Sequence, residues 1–138
     1  MRRRERGASM VEFAIMLPLL LLVLFGLIDM GRMFLAQAMV TNGAREGARM
    51  AVLRFPDSDV QTRADASMPG LDGLTSGTHT VTVPVRCPAA PTATDATNVR
   101  VSVVGFKWVA LGAITNLFPG GAIAVPTPTA TSSMRCAG

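Results

Sequence analysis

The sequence predicts an α+β chain in which a long N-terminal helix, transmembrane and then amphipathic, packs against a small antiparallel sheet of about three strands. Three observations carry that prediction. A charge-free apolar run from Phe13 to Ile28 follows a cluster of arginines, helical spacing continues without proline from Met33 to Arg54, and the remainder alternates polar and apolar residues in short stretches flanked by proline. The chain accordingly divides into a basic leader, residues 1–7, a helix over residues 8–55, and a small exported α+β domain over residues 56–138.

Counting back from Ile28 to Ala8 gives 21 residues interrupted by one charge, Glu12. At 1.5 Å per residue these make roughly 30 Å of helix, about the thickness of a bilayer's hydrocarbon core. Arg2, Arg3, Arg4 and Arg6 precede the run, whereas Arg32 and Arg45 are the only basic residues in the twenty after Ile28. The positive-inside rule therefore keeps the N-terminus cytoplasmic and sends the chain beyond Asp29 across the membrane. Pro18 lies within the run, where lipid-embedded helices tolerate a kink.

Beyond Arg32 the residues Met33, Ala36, Val40, Gly43, Ala44, Gly47 and Ala51 recur at spacings of three and four. Asn42, Arg45, Glu46 and Arg49 form the opposite, solvated face, with Glu46 and Arg49 in i,i+3 register. Phe55-Pro56 stops the helix, because a residue before proline is pushed out of the helical region. From Ala8 to about Arg54 the helix would run on the order of 70 Å. Gly43 and Gly47 let another backbone approach closely, and each costs roughly 1 kcal/mol relative to alanine, so something packs there. The partner is either the chain's own sheet or a neighbouring protomer's helix, and the two are compatible at different heights.

Asp57 to Ser67 reads as a short helix with Asp57 or Ser58 as N-cap, and Met68-Pro69-Gly70 as its break. Gly70 to Gly77 is turn material. Thr78 to Cys87 alternates as a strand with Val81, Val83 and Val85 on one face, and Pro84 assigns it to an edge. Pro88 to Asn98 reads as an exposed loop. Val99 to Phe106 is the strongest strand, with Val99, Val101 and Val103 inward. Trp108 to Leu117 is apolar but too short to span, and suits a membrane surface or a packing role. A last, loosely alternating strand covers about Ile123 to Met134.

Composition narrows the function. The 138 residues leave only about 80 for a globular part, and the pI near 10.5 is misleading as a sign of nucleic-acid binding. The four leader arginines less Glu5 supply +3 of the formal +4, which leaves +1 for the rest and no basic patch. His79 is the single histidine and stands at no ligand or triad spacing, as expected of an exposed strand residue. Asp57, Asp59 and Asp65 are explained by capping and helix-dipole complementarity. Neither a catalytic site, a metal, a cofactor nor a small-molecule substrate is expected. Cys87 and Cys136 fall on the exported side, where a disulfide closing a loop of about 50 residues would contribute roughly 4 kcal/mol on the chain-entropy model. The alternative is two independent small side chains.

Glu12 needs a reason, since an acid within a spanning helix is costly. If the bond after Gly7 is cut, the new ammonium on Ala8 lies one helical turn from Glu12 on the same face. The two groups could neutralise each other within one chain, or Glu12 could meet a neighbour's ammonium. Glu12 could equally snorkel to the cytoplasmic headgroups.

Gly7-Ala8-Ser9-Met10-Val11-Glu12-Phe13 ahead of an apolar helix resembles the prepilin cleavage motif of type IV pilins. More closely, Arg6 to Ala14, Leu17-Pro18-Leu19-Leu20, the Gly26 to Gly31 segment and Ala44-Arg45-Glu46-Gly47-Ala48-Arg49 resemble the TadE-like family of pseudopilins. Val99 to Phe106 and Ala130 to Arg135 are similar to that family's C-terminal half. The resemblance implies a minor component of a tight adherence (Flp-type, type IVb) pilus in the bacterial inner membrane. Its domain would be periplasmic, and its partners a prepilin peptidase cutting between Gly7 and Ala8, other pilins and the assembly platform. Phe13 stands where the major pilins of such systems usually carry tyrosine, and the chain is longer than a major pilin, which favours an initiating, tip or anchoring role. Two rival readings are an uncleaved anchor that scaffolds the platform, and a secreted domain released after Ala38, since Ala36-Gln37-Ala38 fits a signal-peptidase site.

Overall fold

The structure, a computed structural model, describes residues 3–112 and 126–136, with side chains from residue 9 onward. Helix α1 is Arg3–Val52, α2 Asp57–Ala66 and α3 Leu71–Leu74, and the strands are β1 His79–Val85, β2 Ala96–Val103 and β3 Thr129–Arg135. The architecture is the predicted α+β arrangement. Contacts divide the chain into two units, Met1–Gly31 with Trp108–Ile123, and Arg32–Lys107 with Ala124–Gly138.

In the second unit the outer part of α1 lies on an antiparallel sheet of order β1-β2-β3. Ala36, Val40, Ala44, Ala48 and Ala51 are buried on one helix stripe, and Val81, Val99, Val101 and Val103 on the sheet's inner face. Small residues on the helix let the sheet's valines approach its backbone. Val60 and Ala64 of α2, with Met68 and Leu71 after it, complete the core. Both Gly43 and Gly47 are buried within this unit. A Cβ on Gly47 would stand 3.0 Å from Val99 Cγ1 and 3.5 Å from Ala64 Cβ, while one on Gly43 would meet the Met68 side chain, with Cγ 2.8 Å away. The chain's own α2 region and β2 therefore occupy the two glycines.

The ends of α1 and α2 follow backbone chemistry. After Val52, Arg54 takes a left-handed φ of 62°. Its N–H donates to Ala51 O at 3.0 Å and Phe55 N–H to Met50 O at 3.4 Å, the paired bonds of a Schellman stop. The N-cap of α2 is Pro56, with no side-chain cap bond, rather than Asp57 or Ser58. The Pro56 carbonyl instead accepts from the N–H groups of Asp59 and Val60, and Asp57 is drawn off into an ion pair with Arg86. The expected turn Gly70 to Gly77 contains the single helical turn α3, entered through Gly70 at φ 86°.

The strands differ from expectation in extent. In β1 only Val81 of the valine set is buried, Val83 is half-buried and Val85 exposed. The register shifts between Thr82 and Val85, around Pro84, which has no N–H for the ladder and turns the end of the strand off the inner face. Central β2 begins at Ala96, ahead of Val99, because Thr97 joins the buried set and satisfies its hydroxyl on Val85 O at 2.7 Å. It also stops at Val103, and Phe106 makes an isolated bridge to Thr75. The last strand starts at Thr129. Pro128 is buried before it, and its carbonyl accepts from Val103 N–H; residues 113–125, including part of the expected Trp108 to Leu117 and Ile123 to Met134 segments, lie outside the described residues.

Candidate functional site

Two features stand out: the inner half of α1 with its N-terminal motif, and the closure of the sheet. In the first unit the helical backbone already includes Gly7 and Ala8. One turn on, Glu12 is exposed on the helix surface, and Phe13 beside it is 64% exposed. Among the described residues one helix, Ser9–Val52, is long and apolar enough to cross a membrane, and its most apolar 18-residue window has mean hydropathy 2.7 with none of it buried. Met10, Ile15, Leu19, Leu20 and Leu27 all lie open. In water so much apolar surface would be strongly unfavourable, whereas lipid or other apolar helices would match it.

At the end of this run Asp29 is fully buried. Its Oδ1 accepts from Val109 N–H at 2.8 Å, and its Oδ2 from Ala110 N–H at 2.8 Å and Leu111 N–H at 3.0 Å. A buried carboxyl group needs such donors, and three successive backbone N–H groups supply them. Sequence reading took Asp29 only as the charge that closes the apolar run. Nothing local marks its partners, because they lie some eighty positions away in the chain. The available signal was the pairing of an acid flanked by apolar residues with a second uncharged segment beginning at Trp108.

In the second unit Cys87 and Cys136 are joined, Sγ–Sγ 2.00 Å, across a sequence separation of 49. Asp95 organises the same end. Its carboxylate accepts from Thr92 N–H at 2.7 Å and from the Thr92 hydroxyl at 2.8 Å, and its carbonyl from Cys136 N–H at 2.9 Å. The Thr92 bonds, the backbone one foremost, hold the Asp95 carboxyl below the usual carboxylate range. The hydrogen bond and ion pair with Asp57 raise the Arg86 guanidinium, which remains charged throughout. On the outer helix Gln37 binds β3 through both atoms of its amide, donating to Thr129 O at 2.8 Å and accepting from Thr129 N–H at 3.3 Å.

His79 is not the exposed strand residue expected. Its ring is largely covered, with Nε2 2.8 Å from Asp65 Oδ1 and Nδ1 3.7 Å from Asp72 Oδ1. Asp65 thus lies in the last turn of α2 as a partner of β1, where neither capping nor dipole complementarity explains it. Glu46 bridges Arg49 at 3.3 Å and Arg63 at 3.0 Å, which links the solvated face of α1 to α2. All these pairs are surface contacts of modest worth.

Among curated proteins and solved structures, nothing matches the chain. The later strand segments, similar at sight to the same family, lie outside the part that a family comparison covers. Residues 7–49, from the Gly7 motif to the outer helix, match the family model described as TadE-like protein.

Proposed function

We propose that the chain is a minor pilin-like structural subunit, a pseudopilin without catalytic activity, of a tight adherence pilus. The observation that carries this reading is the exposed carboxylate of Glu12, one turn beyond Ala8 at the start of the unburied apolar stretch of α1, inside the TadE-like segment. The helix enters the inner membrane with the arginines cytoplasmic and the sheet domain periplasmic. A prepilin peptidase cuts between Gly7 and Ala8, removing the cationic leader. The ammonium so formed on Ala8 lies within reach of Glu12 of the same or a neighbouring subunit. Other pilin helices cover the apolar face during assembly on the platform.

One observation favours a second reading, the uncleaved anchor. The Gly7–Ala8 bond lies in helical backbone, and a protease must first unwind it. The position within the first two turns makes that inexpensive, because the first four N–H groups of a helix have no intrahelical partner and Gly7 weakens the helix by about 1 kcal/mol. Release after Ala38 is disfavoured, since it would remove fully buried Ala36 and the Gln37 bonds to β3.

N-terminal sequencing of the protein extracted from membranes separates the readings. Ala8 as first residue is the expected result, and Gly7→Leu should leave the precursor uncut. An intact N-terminus on the wild-type chain supports the anchor, and Met39 as first residue supports secretion. With Ala8 exposed, Glu12→Gln should reduce incorporation into pili about tenfold or more, the equivalent of one charge-assisted bond. Unchanged incorporation would remove the assembly role of Glu12.

A further inference from the structure

Asp29 fastens a second apolar segment beside the end of the apolar helix run. The residues whose N–H groups it binds, Val109, Ala110 and Leu111, come directly after Trp108, and the stretch Trp108 to Gly112 carries no charge. Trp108 is half-buried, and Val109 is 54% exposed. In the same unit the last apolar residues of the run are exposed as well, Leu27 at 67% and Ile28 at 44%. Asp29 is the first charged residue after Glu12, so a helix inserted up to Ile28 brings Asp29 to the level where hydrocarbon gives way to headgroups, about 30 Å from Ala8. Tryptophan is favoured at that depth, its ring apolar and its indole N–H able to reach polar groups.

We propose that Trp108–Leu111 is a second membrane-contacting element, an interfacial anchor for the outer leaflet held at the boundary of the bilayer by Asp29. It rests on the reading of α1 as a membrane helix. The occupant of the exposed Val109 surface is then lipid at the glycerol level, continuous with the lipid around Leu27 and Ile28. Asp29 acts as a positioning residue: its carboxylate satisfies three N–H groups that lipid could not, which allows this backbone to lie at that depth.

The chain contains one tryptophan and no tyrosine, so intrinsic fluorescence reports Trp108 directly. The full chain would be reconstituted in phosphatidylethanolamine–phosphatidylglycerol vesicles containing phospholipids brominated either near the glycerol or near the chain end. Flotation after an alkaline wash reports insertion of the helix independently. The expected result is flotation with blue-shifted emission, quenched more by shallow bromines than by deep ones and little by aqueous acrylamide. Asp29→Ala should still float but shift to red emission, lose the lipid quenching and gain acrylamide quenching, with Asp29→Asn, which keeps one carbonyl acceptor, in between. If Asp29→Ala does not accumulate, Ala110→Pro, which removes one of the three donors, should move the same readouts in the same direction. A chain that floats with Trp108 in water, or quenched chiefly by deep bromines, would overturn the interfacial anchor and leave the membrane helix standing. Identical quenching in wild type and a floating Asp29→Ala would overturn the role of Asp29. A chain that does not float would overturn both the membrane reading and this one.

Discussion

Arg54 ends a long helix in a conformation that favours glycine, and the backbone there shows why it is tolerated. A left-handed φ of 62° costs a non-glycine residue roughly 1–2 kcal/mol, offset here by the two N–H bonds that close the helix onto Met50 and Ala51. Arg54→Gly keeps those bonds and removes the Cβ penalty. It should stabilise the outer domain by about 0.5–1 kcal/mol, read as a higher urea midpoint in pulse proteolysis of the full chain in detergent. Asp95 makes a different kind of prediction. Its folded carboxyl ionises below its unfolded value because Thr92 donates to it through backbone and hydroxyl. Its contribution is therefore complete above about pH 4, the ordinary aspartate value, and is lost as pH falls through the lower folded value. Amide protection at Thr92 and Cys136, taken against the intrinsic exchange rate at each pH, should fall in that acid window for the wild type, and Asp95→Asn should flatten the dependence.

At the scale of elements, the two glycines of α1 decide how closely the sheet can lie. With Val99 Cγ1 only 3.0 Å from where a Cβ on Gly47 would stand, an alanine requires a few tenths of an ångström of give and regains helix propensity, so its net effect should be small. Gly47→Leu cannot be accommodated without separating α1 from β2, and should destabilise by about 1–3 kcal/mol in the same urea assay. The glycine spacing was legible in sequence because helices repeat at 3.6 residues, and the α1 stripe and the Val99–Val101–Val103 face emerged from periodicity alone. What was not legible had specific causes. Thr97 reads as loop until its hydroxyl is seen bonded to Val85 O; α3 is hidden by Gly70 before it and Gly73 within it; and the weak burial of β3, exposed or half-buried throughout, leaves little alternation to read. Asp29 escaped because its partners lie some eighty positions away, and His79 because Asp65 and Asp72 meet it only once α2 and α3 fold back beside β1. In contrast, the Gly7 to Phe13 motif was legible as a motif, and its geometry adds exposure and helical phase.

For the whole molecule, the disulfide and the leader speak to the same question. The last strand, β3, has no fully buried residue, and its sequence is mostly threonine, serine and alanine. It is retained by its ladder to β2, by Gln37 and by the bond from Cys136 to Cys87. On the chain-entropy model that bond contributes about 4 kcal/mol, a large share of what a domain of this size commands. Such a bond persists in an oxidising compartment and not in the bacterial cytoplasm. The arginines before the apolar run independently favour a cytoplasmic N-terminus, so both features argue for a sheet outside. On intact spheroplasts, a membrane-impermeant maleimide should label the chain only after an impermeant reductant has opened the bond, with no need for detergent. Labelling that required permeabilisation would reverse the orientation. The double variant Cys87→Ser, Cys136→Ser should insert normally, because insertion depends on the helix, yet lose its outer domain to protease far faster than the wild type. A variant as resistant as the wild type would mean that the ladder and Gln37 suffice, and that the bond records the compartment without stabilising the fold.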